Sequence, residues 1–296
     1  MANHIVKLGE DFDYQVPVEF AGRSQGYSGD SMIDEAGGAV QMGFRVARLD
    51  PDGTVDSHVH SFEETLYVLD GQLTVDTPEG SFELIEGDYG LLPVGMTHAF
   101  RNTGSLAVNF AEMKAPLPRE RLGFDTQFTP AVPARDAVRV DVRDPRNRYF
   151  GHIDPESSDP TMQTQDRLAV SASMRTALLV YSGITVKMMI DSDLGADLST
   201  MFMVQYEPGG LAGAHDHPLE EAYLILDGQV EAKFDGRAYI LGPGDIAWAG
   251  VGCVHEFRNV GDGKVRWLET QAPQPPPRHS YRFARDWSYL EQALAE

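Results

Sequence analysis

The sequence has few of the features that mark secreted or membrane-bound proteins. Cys253 is the one cysteine among 296 residues, so no disulfide can form within the chain, and we expect a buried, inert thiol in a reducing compartment. No segment approaches the roughly 20 consecutive apolar residues of a membrane-spanning helix. The N-terminus also has no apolar core of a signal peptide. These absences predict a cytoplasmic protein with no membrane partner.

Positive charge is also scarce. The chain has 24 Lys and Arg against 45 Asp and Glu, a formal net charge of -21. A surface of this sign repels phosphate backbones, so we expect no nucleic-acid partner. With 42% hydrophobic and 23% charged residues, the composition is otherwise that of an ordinary globular protein.

The sequence does contain an internal repeat at a constant offset of 157 positions. The repeated pairs include His58 and His215, His60 and His217, Glu64 and Glu221, Gly71 and Gly228, His98 and His255, and Asn102 and Asn259. The register holds without a gap from His58 to Asn102 in the first copy and from His215 to Asn259 in the second, which indicates a duplicated domain. We predict an N-terminal domain over 1–118, a connector over 119–165 that packs across the neighbouring barrel, and a C-terminal domain over 166–296.

Both repeats have the pattern of short β-strands. Alternating apolar runs flank Asp70-Gly71 and Asp227-Gly228, and this dipeptide between such runs is a strong hairpin signal. Many short, evenly spaced strands favour an all-β sandwich, barrel or jelly roll. Only the final segment, RDWSYLEQALAE, has a helical pattern.

The repeated histidines and glutamates have the spacing of metal ligands. Residues two apart on a strand project from the same face, so His58 and His60 point together, and Glu64 can join them. His98, from a later strand, supplies a fourth ligand. The second repeat offers His215, His217, Glu221 and His255.

Three imidazoles and a carboxylate suit divalent transition metals. We expect Fe(II) or Mn(II), with Ni, Co or Zn as alternatives. Four protein ligands leave an octahedral metal two positions for substrate, water or dioxygen. Glu64 and Glu221 are also candidate catalytic residues, because a ligating carboxylate that leaves the metal accepts a proton.

These motifs resemble those of the cupin superfamily. The first repeat matches at the ligands and at Gly53, Gly71, Gly87, Pro93, Gly95 and Asn102, and the second departs mainly by having Gly250 in place of Pro93. Two full motifs imply a bicupin, that is, two tandem jelly-roll barrels with a metal inside. The resemblance also implies pairing into a homodimer or a larger homo-oligomer.

The resemblance leaves several functions open. Quercetinase-like dioxygenases and oxalate decarboxylases carry the same ligand set, whereas GDIAWAGVGC and the paired MID and LGADLS segments resemble ureidoglycine aminohydrolase-type bicupins. We predict a metal-dependent enzyme, specifically a dioxygenase that binds a small polar or anionic substrate through an enolate or carboxylate oxygen. A non-redox aminohydrolase, isomerase or decarboxylase and a non-catalytic metabolite binder remain as alternatives.

Four further residues are predicted to contact substrate. Phe100 and Phe257 share the parity of the ligand histidines and are expected to form pocket walls. Arg48 and its partner Gln205 each end an apolar row and are placed at the barrel mouth, where a polar group would bind a substrate oxygen. Glu63 and Glu220, with the opposite parity to the ligands, are expected to be solvated or paired on the outer faces.

Overall fold

The computed structural model describes residues 3–141, 144–162, 176–179, 182–275 and 292. They form two β-barrels in tandem, which confirms the predicted fold class. The predicted C-terminal helix falls outside the described residues, apart from Gln292. In the described part of the chain, every helix is too short or too polar to cross a bilayer.

The N-terminal segment and the first barrel contain nine strands. They are β1 (His4–Lys7), β2 (Ser24–Ile33), β3 (Gly43–His60), β4 (Glu63–Asp70), β5 (Gln72–Thr77), β6 (Gly80–Ile85), β7 (Asp88–Leu92), β8 (His98–Arg101) and β9 (Val108–Ala115). Strands β10 (Thr126–Phe128), β11 (Val138–Arg139), β12 (Phe150–His152) and β13 (Thr176–Leu179) follow.

The second barrel repeats this arrangement. Its strands are β14 (Ile184–Ile190), β15 (Thr200–Tyr206), β16 (Leu211–His215), β17 (Glu220–Asp227), β18 (Val230–Phe234), β19 (Arg237–Leu241), β20 (Ile246–Ala249), β21 (His255–Asn259) and β22 (Val265–Ala272). Short 3-10 helices span Gly9–Asp11, Val18–Phe20, Glu120–Asp125, Pro145–Asn147, Pro155–Ser158 and Pro160–Met162.

The two barrels differ in the continuity of one strand. In the first barrel the 18-residue β3 pairs with β9 over its first half and with β8 over its second half, so one strand joins both faces. In the second barrel β15 pairs with β22 and the separate β16 pairs with β21, so the sheets have seven and four strands. A shift of register near the end of β3, and another within β16, turns the histidines toward the barrel interior.

Gly71 shows why the hairpin after β4 requires glycine. Its φ is +78°, in the left-handed region, and a Cβ there would lie 2.6 Å from the carbonyl oxygen of Ala107. Gly228 repeats both constraints, with φ +73° and 2.4 Å to the carbonyl oxygen of Lys264. The repeated Asp-Gly pair is therefore fixed by turn geometry.

Three apolar clusters hold the molecule together. One fills each barrel, with Phe110 and Leu66 in the first and Trp267 and Tyr223 in the second. The third lies between the barrels and contains equivalent residues from both repeats. It includes Met32 and Met189, Ile33 and Ile190, and Leu91 and Trp248.

The barrels also exchange edge strands. The N-terminal β1, which precedes the first barrel, pairs with β20 of the second barrel, and β12, which precedes the second barrel, pairs with β7 of the first. The segment after the first barrel adds β10 against β3 and β11 against β6. These additions protect sheet edges and bring β10 beside the histidines of β3.

Glu63 and Glu220 were predicted to be solvated or paired on the outer faces, and the structure shows them paired and buried, not solvated. Each carboxylate is 2% exposed and binds the opposite barrel. Glu63 accepts hydrogen bonds from the backbone nitrogens of Asp197 and Leu198 and from the Ser199 hydroxyl, at 2.6 to 3.0 Å. Glu220 accepts from three successive backbone nitrogens over 40–42, at 2.9 to 3.2 Å. The strand parity was right, but the outer face is the interface between the barrels.

Candidate metal centres

The first candidate centre lies inside the first barrel, where three strands end close together. Its side chains are His58 and His60 from β3, Glu64 from β4 and His98 from β8. Each offers one ligand atom, and these four atoms lie within 4.8 Å of one another. None of the four residues is more than 5% exposed. The structure thus brings together the four ligands predicted in the first repeat.

Hydrogen bonds orient each imidazole of this centre. His58 Nδ1 lies 2.7 Å from the carbonyl oxygen of Asp56, and His98 Nδ1 lies 2.9 Å from that of Met96. A carbonyl oxygen only accepts, so these contacts place the ring proton on Nδ1 and leave the Nε2 lone pair for a metal. His60 Nδ1 lies 3.0 Å from the Thr126 hydroxyl on β10.

The inward atoms of the first centre lack hydrogen-bond partners. Nε2 of all three histidines and Oε2 of Glu64 are buried and unsatisfied. Native proteins rarely leave such groups unpaired, because each one costs about 1 to 3 kcal/mol. The donor set of three imidazole nitrogens and one carboxylate oxygen therefore fits a divalent transition metal.

The protonation states of the first centre also favour metal binding. Burial lowers the pKa of His60 to about 4, and burial with the neighbouring rings lowers the pKa of His58 well below its usual value. Burial alone would raise the pKa of Glu64, but contacts with His60 and His98 hold it well below the usual range. Neutral imidazoles and an ionised carboxylate are the forms that bind a cation.

Aromatic side chains enclose the first centre. The Phe20 ring lies 5.1 Å from that of His58, and Phe62 stacks on His60 at 4.1 Å. Phe100 lies 5.3 Å from His98, as expected of a predicted wall residue. Phe128, on β10, lies 6.1 Å from His58. This lining is apolar and excludes bulk water.

A buried charged network lies behind Glu64, and it was not predicted from the sequence. Lys114 Nζ lies 3.9 Å from Glu64 Oε1 and 3.3 Å from Glu112. Arg45 contacts Glu112 at 3.4 Å and Glu19 at 2.6 Å. A cavity of about 150 Å³ reaches both Arg45 and Lys114 from outside. The one signal for this network in the sequence is that Arg45 and Lys114 occupy positions of their strands that face inward.

Arg48 and Gln205 do not occupy the predicted barrel mouths. Arg48 is exposed and pairs with Asp50 at 3.1 Å, on the face whose other residues pack between the barrels. Gln205 is buried, but its amide donates to the carbonyl oxygen of Ser158 at 3.2 Å. The shift of register between Val55 and His58 reverses which residues of β3 face the barrel interior. Arg48, before the shift, therefore faces outward, whereas His58, after it, faces inward.

The second candidate centre is assembled less completely. His217, Glu221 and His255 have ligand atoms within 4.8 Å of one another, and His215 lies outside this group. The rings of His215 and His217 are 6.2 Å apart, against 4.7 Å for His58 and His60. Nδ1 of every histidine here is bonded to a backbone carbonyl, at 2.7 to 3.0 Å.

The carboxylate of the second centre already has strong partners. Tyr223 donates its hydroxyl to Glu221 Oε2, and Gln271 donates its amide to Oε1. His217 Nε2 lies 2.7 Å from Oε2. Burial alone would lower the pKa of His217, but the contact with Glu221 raises it. Without a metal, Glu221 is thus held by an ion pair and two hydrogen bonds.

The surroundings of the second centre are neutral where those of the first are charged. Glu269, equivalent to Glu112, has its pKa raised well above the usual range by burial and by Glu221. Trp267 donates to Glu269 at 2.9 Å. Phe257 lies 6.0 Å from His255 and packs on Tyr223 at 4.7 Å, so it lines this centre as predicted.

Cys253 is buried next to the second centre. Burial and Asp235 raise the pKa of its thiol to about 12, so the metal-free thiol is protonated and unreactive at neutral pH. His255 Nδ1 is bonded to its backbone carbonyl oxygen.

Two segments of the chain match the cupin domain family, 45–112 and 202–270. Each match contains all the predicted ligands of one candidate centre, and the sequence that joins the barrels lies outside both matches. The matches also coincide with the two barrels of the structure.

The chain is similar to two curated Streptomyces proteins. It is 35% identical over 94 residues to "Polyketide synthase CurC" of Streptomyces cyaneus. The matched stretch covers 31% of this chain and 59% of that protein. It is 36% identical over 91 residues to "Protein SchB" of Streptomyces halstedii, which is 30% of this chain and 64% of that protein. The matches therefore span less than two thirds of either relative.

Solved structures of bicupin size share the whole fold. Oxalate decarboxylase from Lactobacillus farciminis has a TM-score of 0.64 at 16% identity, over 98% of this chain and 92% of that chain. Oxalate decarboxylase from Bacillus subtilis, described with Mn(II) centres, has a TM-score of 0.60 at 14% identity, over 99% and 84%. At this identity the similarity shows the fold alone.

Proposed function

Because the chain is built from two cupin domains, we propose that it is a metal-dependent enzyme whose working centre is His58, His60, Glu64 and His98. The observation that carries this proposal is the convergence of four buried ligand atoms with no hydrogen-bond partner in the first barrel. We further propose that the reaction is a dioxygenation of a small organic molecule bound through an enolate or carboxylate oxygen.

The four residues fit Fe(II) or Mn(II), and the second metal is supported by the Mn(II) centres of the Bacillus neighbour. Such a metal would polarise a substrate oxygen and, in a redox-active form, activate dioxygen. The backbone carbonyls of Asp56 and Met96 keep the imidazoles in the tautomer that this requires.

The aromatic lining favours a reaction that does not use water. Phe20, Phe62, Phe100 and Phe128 surround the imidazoles and offer no group that would orient a hydrolytic water. Apolar rings accept dioxygen and the carbon skeleton of a substrate. Glu64 is the group at the centre that accepts a substrate proton, and His60 and His98, with a smaller contribution from Lys114, keep its carboxylate ionised.

A second candidate is a non-redox reaction on a carboxylate, such as decarboxylation. The position of Lys114 favours it, because its buried ammonium lies 3.9 Å from Glu64 Oε1. Buried cations at such a site orient an anionic substrate. The oxalate decarboxylases of the same fold act on a substrate of this class.

Oxygen uptake separates the two candidates. The protein loaded with Fe(II) or Mn(II) is mixed with small keto-enol and carboxylate compounds, with dioxygen and carbon dioxide both monitored. We expect uptake with at least one compound, a loss of about 100-fold in E64Q, and a much smaller loss in the matched variant E221Q. Carbon dioxide release without uptake would establish the second candidate. Full turnover by E64Q would overturn the assignment of the first centre.

A further inference from the structure

A third cluster of ligating side chains lies at the edge of the second barrel, where β1 docks. His4 lies opposite Ala249 on β20, and its ring stacks on Phe234 with centroids 5.5 Å apart. Its Nε2 lies 2.9 Å from the Tyr239 hydroxyl. The His4 side chain is 6% exposed, and its Nδ1 is buried with no hydrogen-bond partner.

The unpartnered Nδ1 of His4 faces a carboxylate and a thiol. It lies 4.0 Å from Asp235 Oδ2, too far for a hydrogen bond. Atoms of His4, Asp235 and Cys253 lie within 4.8 Å of one another. Asp235 Oδ1 accepts from the backbone nitrogen of Val254 at 3.1 Å, which holds the carboxylate in place. The Asp235 side chain is 41% exposed, so an ion and a water ligand can reach the cluster.

This cluster is separate from the second cupin centre. The Phe234 ring stacks on both His4 and His255, with ring centroids 5.5 Å and 6.2 Å apart. The cluster is also absent from the first repeat, where Pro78 and Met96 replace Asp235 and Cys253. The duplication that made the two HxH motifs therefore does not explain it.

We propose that His4 Nδ1, the Asp235 carboxylate and Cys253 Sγ bind a divalent transition metal of the zinc class, with water as a fourth ligand. A thiolate, an imidazole and a carboxylate form a tetrahedral set suited to Zn²⁺. Zinc bond lengths place ligand atoms roughly 3.3 to 3.8 Å apart, so the present cluster contracts only slightly on binding. The thiol proton leaves to solvent as the metal–sulfur bond forms.

Binding at this cluster would fasten the N-terminal strand to the second barrel. His4 is on β1, whereas Asp235 and Cys253 belong to the second barrel. A ligand that binds only the folded, docked state stabilises that state. The inference is independent of the reaction proposed for the first centre.

Cadmium absorption tests the proposal directly. Because Cys253 is the only cysteine, any thiolate-to-cadmium charge-transfer band in the ultraviolet must come from it. Titration of the full chain is expected to give a band that saturates at one cadmium per chain. The band should persist in H58A/H60A and disappear in C253S.

The variant H4Q distinguishes a built site from a bare thiol. Loss of the imidazole ligand is expected to weaken cadmium binding at least tenfold, as measured by titration of the same absorption band. D235N should also weaken cadmium binding. Thermal unfolding without metal checks that both variants still fold. No band in the wild type, or an unchanged cadmium affinity in a folded H4Q, would overturn the proposal.

Discussion

The two cupin centres have the same ligand residues but different neighbours. In the first, Glu64 lies near two imidazoles and the Lys114 ammonium, and its Oε2 has no hydrogen-bond partner. In the second, Glu221 is held by Tyr223, Gln271 and a close His217. A metal entering the second centre has to displace hydrogen bonds that the first centre never forms.

A ligand motif alone therefore does not define a metal centre. Both repeats keep the HxH, Glu and His residues, yet the residues behind the carboxylate decide whether its oxygens are free. Lys114 and Gln271 are equivalent positions, as are Glu112 and Glu269 and also Leu66 and Tyr223. Two substitutions behind the ligands, Lys114 to Gln271 and Leu66 to Tyr223, thus separate a centre whose carboxylate has an unpaired oxygen from one whose carboxylate is hydrogen-bonded.

The largest stability effect is expected at the reciprocal carboxylates of the interface. E63A and E220A each leave three buried donors without an acceptor, which should cost about 3 kcal/mol of unfolding free energy. Urea denaturation measures both. E63Q and E220Q keep an acceptor oxygen and should cost about 1 kcal/mol. A large loss in one alanine variant and none in the other would show that the barrels are equivalent in geometry but not in energy.

Exchanging Lys114 and Gln271 tests the cause of the difference between the centres. K114Q puts an amide in place of the ammonium that lies 3.9 Å from Glu64 Oε1, and if this amide donates to the carboxylate as Gln271 does to Glu221, the first centre should bind a divalent metal about tenfold more weakly. Q271K removes the amide that donates to Glu221 Oε1, so binding at the second centre should strengthen by a similar factor. Competition with a chromophoric chelator measures both affinities in chains whose other centre is disabled. Changes of the same sign in both variants would contradict this explanation of the difference.

The smallest effect concerns a pH-sensitive contact present in the first barrel. Hydrogen bonding to Asp88 at 2.8 Å, opposed by burial and assisted by Asp154, raises the pKa of His152 to about 9. In the second barrel the equivalent Asp245 accepts from the backbone nitrogens of Gly9 and Gly242.

The sign of the pH dependence follows from this raised pKa. The contact stabilises the fold fully below the unfolded pKa of about 6.5, and the contribution is lost as pH rises through about 9. H152Q should therefore be about 1 kcal/mol less stable than the wild type at about pH 6, with the difference vanishing by about pH 10. Urea denaturation at both pH values measures it, and a constant difference would contradict the assigned pKa.

Much of this architecture could be predicted from the repeat. The offset aligned His58 with His215 and His98 with His255, and the Asp-Gly hairpins marked the strands around them. Local rules worked here because turn geometry and strand parity act over a few residues. The same parity placed Phe100 and Phe257 beside the histidines.

The charged network could not be predicted because parity does not survive a shift of register. Arg48 was selected because it ends an apolar row, but that row faces out of the first barrel, and Arg45, on the other face of β3, points inward instead. The irregularity between Val55 and His58 reverses the faces before the strand reaches the histidines. The roles of Glu63 and Glu220 depended on the contact between the barrels, which no local pattern specifies.

The metal content of chains with one centre disabled tests whether the first barrel holds the working centre. H215A/H217A retains only the first centre, and H58A/H60A retains only the second. Elemental analysis of cupin-bound metal, in a C253S background that removes the thiol, should find about one redox-active metal per chain in H215A/H217A and much less in H58A/H60A. Equal content in both, or metal only in H58A/H60A, would contradict the assignment of the first barrel as the working centre.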